Sequence, residues 1–154
     1  MIDVEGDLWE YPADVRAITT NGTVRNGKNV MGVGCALEAK ERFPGIDSVL
    51  GGLLRSHGNR AFRIVQGSPS TTILTFPVKY QVEENADLEL IAASCAQART
   101  MADKFEWDNI VVPRPGCGAG GLDYDTNVRP LISIMLDDRF KIITWSKDYE
   151  ISAS

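Results

Sequence analysis

Twice along this chain a short β-branched run breaks off at a loop of glycines that opens onto a helical pattern. The first is Val15 to Thr20 (VRAITT), followed by Asn21 to Ala36 (NGTVRNGKNVMGVGCA). The second is Ile110 to Val112, followed by Pro113 to Tyr124 (PRPGCGAGGLDY). Strand, glycine loop and helix in succession form the unit of an α/β sheet, whose ligands lie outside the carboxyl ends of the strands. Glycine in such a loop lets the backbone take positive φ and approach a ligand with no Cβ in the way. Consecutive N–H groups can then converge on an anion, and the dipole of the following helix adds to their pull. Either loop alone also fits a turn that binds nothing. As a pair, they fit the two sides of one diphosphate.

The rest of the chain repeats the alternation. Ile2 to Glu5 predicts a short first strand, and Cys35 to Phe43 a helix stopped by Pro44. Asp47 is placed to cap a second helix running through Leu54. Phe62 to Val65 and Thr72 to Phe76 read as strands. Residues 86 to 105 form the clearest helix, with Leu88, Ile91, Ala92, Cys95, Ala98, Met101, Ala102 and Phe105 on one face. Val128 to Leu136 reads as a helix and Lys141 to Trp145 (KIITW) as the last strand. The sum is one domain over residues 1 to 154: an α/β/α three-layer arrangement with a mixed central sheet of roughly six strands flanked by helices.

Composition narrows the function classes. A net charge of -5 argues against a broad nucleic-acid footprint, though not against a small phosphate site made of backbone N–H groups. No run is apolar enough to span a bilayer, so no membrane partner is expected. Residues 1 to 12 carry neither a basic nor an apolar signal region, so no secretory leader is expected. Cys35, Cys95 and Cys117 are odd in number and show no CxxC spacing, which predicts no metal site, no disulfide framework and a cytoplasmic location.

Individual side chains carry two readings each. Lys79, behind the rigid Pro77 in TFPVKY, is placed just past a strand end, either as a charge or nucleophile facing a site or as a solvated surface lysine. Asp7 in GDLW either accepts from a base amine or caps its own turn. Cys35 and Cys117 are reactive thiols or small packing residues, and packing is the better reading. His57, the only histidine, fits a helix C-terminus better than a catalytic site.

Taken together, these segments resemble the macrodomain family. The resemblance rests on GD after the first strand, a strand ending in TTN, and VMGVG opening a helix that ends in RFPG. It continues with FPVK at a strand end and PRPGCGAGGLDY before the last helix, and covers nearly the whole chain. Within the family the chain is most similar to the ADP-ribosyl glycohydrolases that use a lysine. That branch includes bacterial and phage members acting on ADP-ribosylated nucleic acid.

The resemblance implies ADP-ribose as ligand, with no cofactor. Asp7 and Leu8 would meet the adenine, on which Trp145 or Tyr149 would stack. Asn21 would contact the terminal ribose, with Asn29 offering a second amide. Val30, Met31, Gly32, Val33 and Gly34 would wrap the diphosphate from one side. Pro115, Gly116, Cys117, Gly118, Ala119, Gly120, Gly121 and Leu122 would cradle it from the other. Lys79 would attack the terminal ribose carbon, and Asp123 is the acid nearest in sequence. The chain departs from some lysine-using relatives in placing Gly120 where they carry an aspartate. The implied partner is ADP-ribose or an ADP-ribosylated macromolecule, including a modified nucleotide in nucleic acid, met by a monomer. Two alternatives share the same loops: a reader that binds ADP-ribose without turnover, and a phosphatase of ADP-ribose 1″-phosphate (Appr-1-p processing).

Overall fold

A computed structural model describes residues 1–145. The elements run β1 (Ile2–Glu5), β2 (Val15–Asn21), β3 (Val24–Arg25), β4 (Lys28–Asn29), α1 (Gly34–Arg42), α2 (Ile46–His57), β5 (Phe62–Gln66) and β6 (Thr71–Lys79). They continue with α3 (Leu88–Lys104), β7 (Ile110–Pro113), a π-helical turn (Tyr124–Val128), α4 (Arg129–Ile132) and β8 (Phe140–Thr144). The main sheet has six strands in the order β1-β8-β7-β2-β6-β5. All its pairings are parallel except β5 with β6. The mixed sheet between helical layers is as expected.

The sheet is covered on both faces, which is why its central strands are nearly continuous apolar runs. One core packs Ala17, Leu74, Phe76, Val112 and Ile142 against Ile91, Cys95 and Ala98 of α3 and Ile132 of α4. The other packs Ile18, Ile73, Val111 and Ile143 against Ala36 and Ala39 of α1 and Leu50 and Leu54 of α2. The chain leaving β2 therefore turns to one face, and the chains leaving β6 and β7 turn to the other. A crevice opens where they part, at the carboxyl ends of β2, β6 and β7. Among the described residues, no helix is long and apolar enough to cross a membrane.

Several sequence expectations are corrected. Asp47 is not the cap of α2: Gly45, at φ 97°, holds that position, while Asp47 accepts from the N–H of Ser48. The helix expected over Val128 to Leu136 is shorter and is preceded by a π turn. Pro130 supplies the reason: it has no N–H to donate back into the preceding turn. That turn instead closes with wider bonds, Val128 N–H to Asp123 O at 3.2 Å and Arg129 N–H to Tyr124 O. Strand β6 runs on to Lys79, through Pro77. Its pairing with β5 stops at Phe62 and Thr75, so Pro77 lies beyond that ladder.

A two-stranded hairpin, β3–β4, adds to the expected elements. It lies against α2, where Gly51 faces Gly27, and a Cβ on Gly51 would stand 2.2 Å from the Gly27 carbonyl oxygen. A Cβ on the neighbouring Gly52 meets nothing within 4 Å. The two helix glycines therefore predict opposite outcomes in urea unfolding. Gly51→Ala destabilises by about 1–3 kcal/mol through overpacking. Gly52→Ala stabilises by about 0.5–1 kcal/mol by relieving the helical cost of glycine.

Candidate functional site

The crevice is a cleft of about 320 Å³. Its floor comes from the ends of β2 (Thr19, Thr20, Asn21), β6 (Val78, Lys79) and β7 (Pro113, Arg114). One wall is Val30 and Gly32 to Ala36, and the other is Gly116 and Gly118 to Gly120. Both glycine loops thus face each other across one space. The β2–β6 register shifts between Thr20 and Asn21, and this irregularity sets Asn21 directly opposite Lys79. Such a bulge re-aims a side chain at a sheet margin.

The first wall ends in a helix start of unusual chemistry. The N-cap of α1 is Val33, which is 62% exposed, offers no side-chain acceptor and is followed by no acid in the first turn. The first-turn N–H groups are left for water or a ligand. By contrast, α3 and the π turn are capped by Asp87 and Asp123, which accept from Leu90 N–H and Thr126 N–H. An uncapped helix start beside a cleft is an anion site in waiting.

The second wall is sterically closed behind. A Cβ on Gly120 would stand 2.5 Å from the Gly116 carbonyl oxygen and 2.8 Å from the Cβ of Ala86. No side chain, the aspartate of some relatives included, fits there without moving the loop. Behind this loop the Tyr124 hydroxyl donates to Asp3, which also accepts from Arg129 Nε at 2.8 Å. The Arg114 guanidinium lies 4.1 Å from the centre of the Tyr124 ring. Its Nε is buried without a hydrogen-bond partner.

Charge in the cleft is one-sided. Among the described residues, Lys79 and Arg114 line it and no carboxylate does, and neither cation is ion-paired with a described residue. Lys79 Nζ donates to the Val82 carbonyl at 3.5 Å. Asn21 lines the cleft while anchored: its Nδ2 donates to Val30 O at 2.9 Å and its Oδ1 accepts from Thr23 N–H.

A second hollow of about 160 Å³ adjoins the cleft, sharing Cys35 and Pro113 with it. It is lined by Asp7, Leu8, Trp9, Glu38 and Trp145 among others. Asp7 accepts from Trp9 N–H with one oxygen, and Arg16 fixes the turn by donating to the carbonyls of Leu8 and Tyr11. Tyr149 lies outside the described residues.

The expected site residues thus divide. Asn21, Val30, Gly32, Val33, Gly34, Lys79, Gly116, Gly118, Ala119 and Gly120 converge on the cleft, and Asp7, Leu8 and Trp145 on the hollow. Met31 is instead 2% exposed in the core under α1 and α2, and Asn29 is buried bracing the hairpin through Asn21 O and Thr23 O. Cys117 and Leu122 pack toward the α3 side, and Pro115 and Gly121 do not line the cleft. Asp123 is exposed and occupied as a cap, its carboxyl held below the ordinary range by Thr126. Thr19, Thr20, Cys35, Arg114 and Val82 also line the cleft, beyond the set expected from sequence. Only Arg114 had a usable signal, as the cation inside the glycine motif.

The thiols are packing groups. Burial pushes Cys35 up, and its Sγ sits 3.3 Å from the Thr19 hydroxyl. Burial likewise pushes Cys117 up from 9.0 to about 11. A raised folded pKa favours the thiol in the folded state. Its contribution is therefore complete below about pH 9 and is lost as pH rises toward about 11. Iodoacetamide labelling of folded protein, followed at Cys117 by peptide mass spectrometry, should accelerate toward pH 11 rather than pH 9.

No protein-family profile matches the chain, and no curated protein sequence matches it. Solved structures do. The macrodomain of Mycobacterium tuberculosis DarG superposes with a TM-score of 0.77 at 24% identity, over 94% of this chain and 95% of that one. The macrodomain of Thermus aquaticus DarG gives 0.77 at 24% identity, over 94% and 97%. Thermosipho africanus DarTG, in complex with ADP-ribose, gives 0.79 at 21% identity, over 96% of this chain and 42% of that one. The sheet order, the two glycine walls and these superpositions agree: this chain has the macrodomain fold.

Proposed function

We propose that the cleft binds ADP-ribose and that the protein removes it from a modified macromolecule. The observation that carries the reading is the placement of Asn21 beside Lys79 on the floor between two glycine walls. The diphosphate brings negative charge to an uncapped helix start and to a cleft that, among the described residues, is lined by two cations and no acid. The adjoining hollow suits the adenine, with the second oxygen of Asp7 available to the exocyclic amine. Together the two spaces fall in the size range of small-molecule sites. A protein of the same fold, from T. africanus, was solved with this ligand.

In the reaction, Lys79 gives up one ammonium proton and the freed Nζ lone pair bonds the anomeric carbon of the terminal ribose. The bond from that carbon to the acceptor breaks, its electron pair leaves with the acceptor, and the acceptor takes up the proton that Lys79 released. Water then displaces Lys79 and frees ADP-ribose. Contacts to the diphosphate, remote from the reacting carbon, hold the ribose in place for this attack. The proposal includes a monomer in the reducing cytoplasm, where three free thiols are at home.

A second reading, a reader without turnover, is favoured by one observation: among the described residues, no carboxylate lines the cleft to serve as acid or base. Lysine chemistry answers it, so Lys79 decides between them. In calorimetry, ADP-ribose should bind with a Kd on the order of micromolar and AMP at least about tenfold more weakly. Lys79→Ala should keep the ADP-ribose Kd within about threefold and lower hydrolysis of ADP-ribosylated DNA or protein by about a hundredfold or more. Binding without any wild-type turnover would make the protein a reader. Release of inorganic phosphate from ADP-ribose 1″-phosphate would make it a phosphatase. Absence of ADP-ribose binding would remove the role given to both walls.

A further inference from the structure

The segment after Lys79, residues 80–87, joins the two glycine walls. At one end the Ala86 N–H donates to Gly120 O at 3.0 Å, inside the second wall. At the other end the segment meets the first wall through a single buried side chain, Thr23. The Thr23 hydroxyl accepts from Val82 N–H at 2.8 Å and donates to the Gln81 Oε1 at 3.0 Å. An exposed ion pair, Arg25 with Glu83, lies farther out on the same seam.

Thr23 is 7% exposed, and its backbone is engaged as fully as its side chain. Its N–H donates to Asn21 Oδ1 at 2.9 Å, and its carbonyl accepts from Val30 N–H at 3.2 Å and Asn29 Nδ2 at 3.0 Å. One residue thus holds Asn21, the root of the first wall and the segment behind Lys79. The link to Lys79 runs through one residue: Val82, whose N–H bonds the Thr23 hydroxyl, turns its carbonyl to Lys79 Nζ.

We infer that Thr23 is a positioning residue for Lys79. Its hydroxyl fixes Val82 through the N–H, and the carbonyl of that residue is the acceptor facing the lysine amine, which stands beside Asn21. This rests on the reading of Lys79 as the reacting amine, but it makes a claim of its own about where that amine is held. A hydroxyl is required because one group must accept from an N–H and donate to an amide oxygen at once. Valine keeps the shape and loses both bonds; serine keeps both.

The test compares wild type, Thr23→Val and Thr23→Ser by two readouts. The first needs no turnover: reductive methylation of Lys79 by formaldehyde and cyanoborohydride, followed by peptide mass spectrometry with exposed Lys28 as internal reference. Thr23→Val should raise the Lys79 rate relative to Lys28 by about threefold or more, and Thr23→Ser should match wild type. The second readout is hydrolysis. Thr23→Val should lower kcat by about ten- to a hundredfold with the ADP-ribose Kd within about threefold, because a displaced nucleophile costs rate more than affinity. Thr23→Ser should restore kcat. An unchanged Lys79 methylation rate in folded Thr23→Val overturns the inference, as does a loss of ADP-ribose affinity equal to the loss of kcat. Should Thr23→Val fail to fold, Thr23→Ala, which also lacks the hydroxyl, replaces it: Lys79 methylation must still rise relative to Lys28, and no change overturns the inference. A wild type that binds without turnover refutes the hydrolase reading alone, and the methylation arm still decides this one.

Discussion

The cleft depends on the parallel pairing of β2 with β6. Seven successive partners, from Val15 with Thr72 to Asn21 with Lys79, lock the two strands together, with one slip before the last pair. Because side chains alternate along a strand, the slip changes which face the final residues present. Below it, Ile18 and Phe76 are wholly buried in the two cores. Above it, an amide and an amine stand together at the floor of an open space. The apolar part of the ladder supplies the rigidity on which the polar end relies, so the site's geometry is inherited from core packing.

The walls achieve an anion-favouring cleft by different means. The first does it by omission: a helix begins at a valine with no cap, and its N–H groups stay open. The second does it by crowding: Gly120 approaches the Gly116 backbone so closely that no side chain fits at position 120. Several acids near the walls are occupied elsewhere. Asp87 and Asp123 cap helical turns, and Asp3 holds Tyr124 and Arg129. Positive potential in the cleft follows as much from where carboxylates are bound as from the cations themselves.

Much of this was legible in the chain because its signals are local. The α3 periodicity, the β-branched strands and the two glycine loops each declare themselves within a dozen or so residues, a scale at which propensity is informative. What the sequence did not disclose depends on distant partners. Met31 sits in the motif that wraps the cleft, yet it is turned into the core by packing against α1 and α2. The β3–β4 hairpin is two residues per strand, too short for alternation to register. The bond from Thr23 to Val82 spans 59 positions and has no local signature. The split of the last helix was readable in principle from Pro130, whose missing N–H breaks the α pattern before it.

The uncapped start of α1 sets up a competition between self-sufficiency and use. A serine or aspartate at position 33 would give the helix the acceptor it lacks and raise the stability of the free protein, typically by about 1 kcal/mol. The same oxygen would occupy the N–H groups that the proposed function leaves to a phosphate, acting as a ligand tethered permanently in its own site. The valine therefore keeps the empty protein slightly unfinished. Under the proposed function, the diphosphate would complete the helix as it binds, so occupancy and local folding would become one equilibrium.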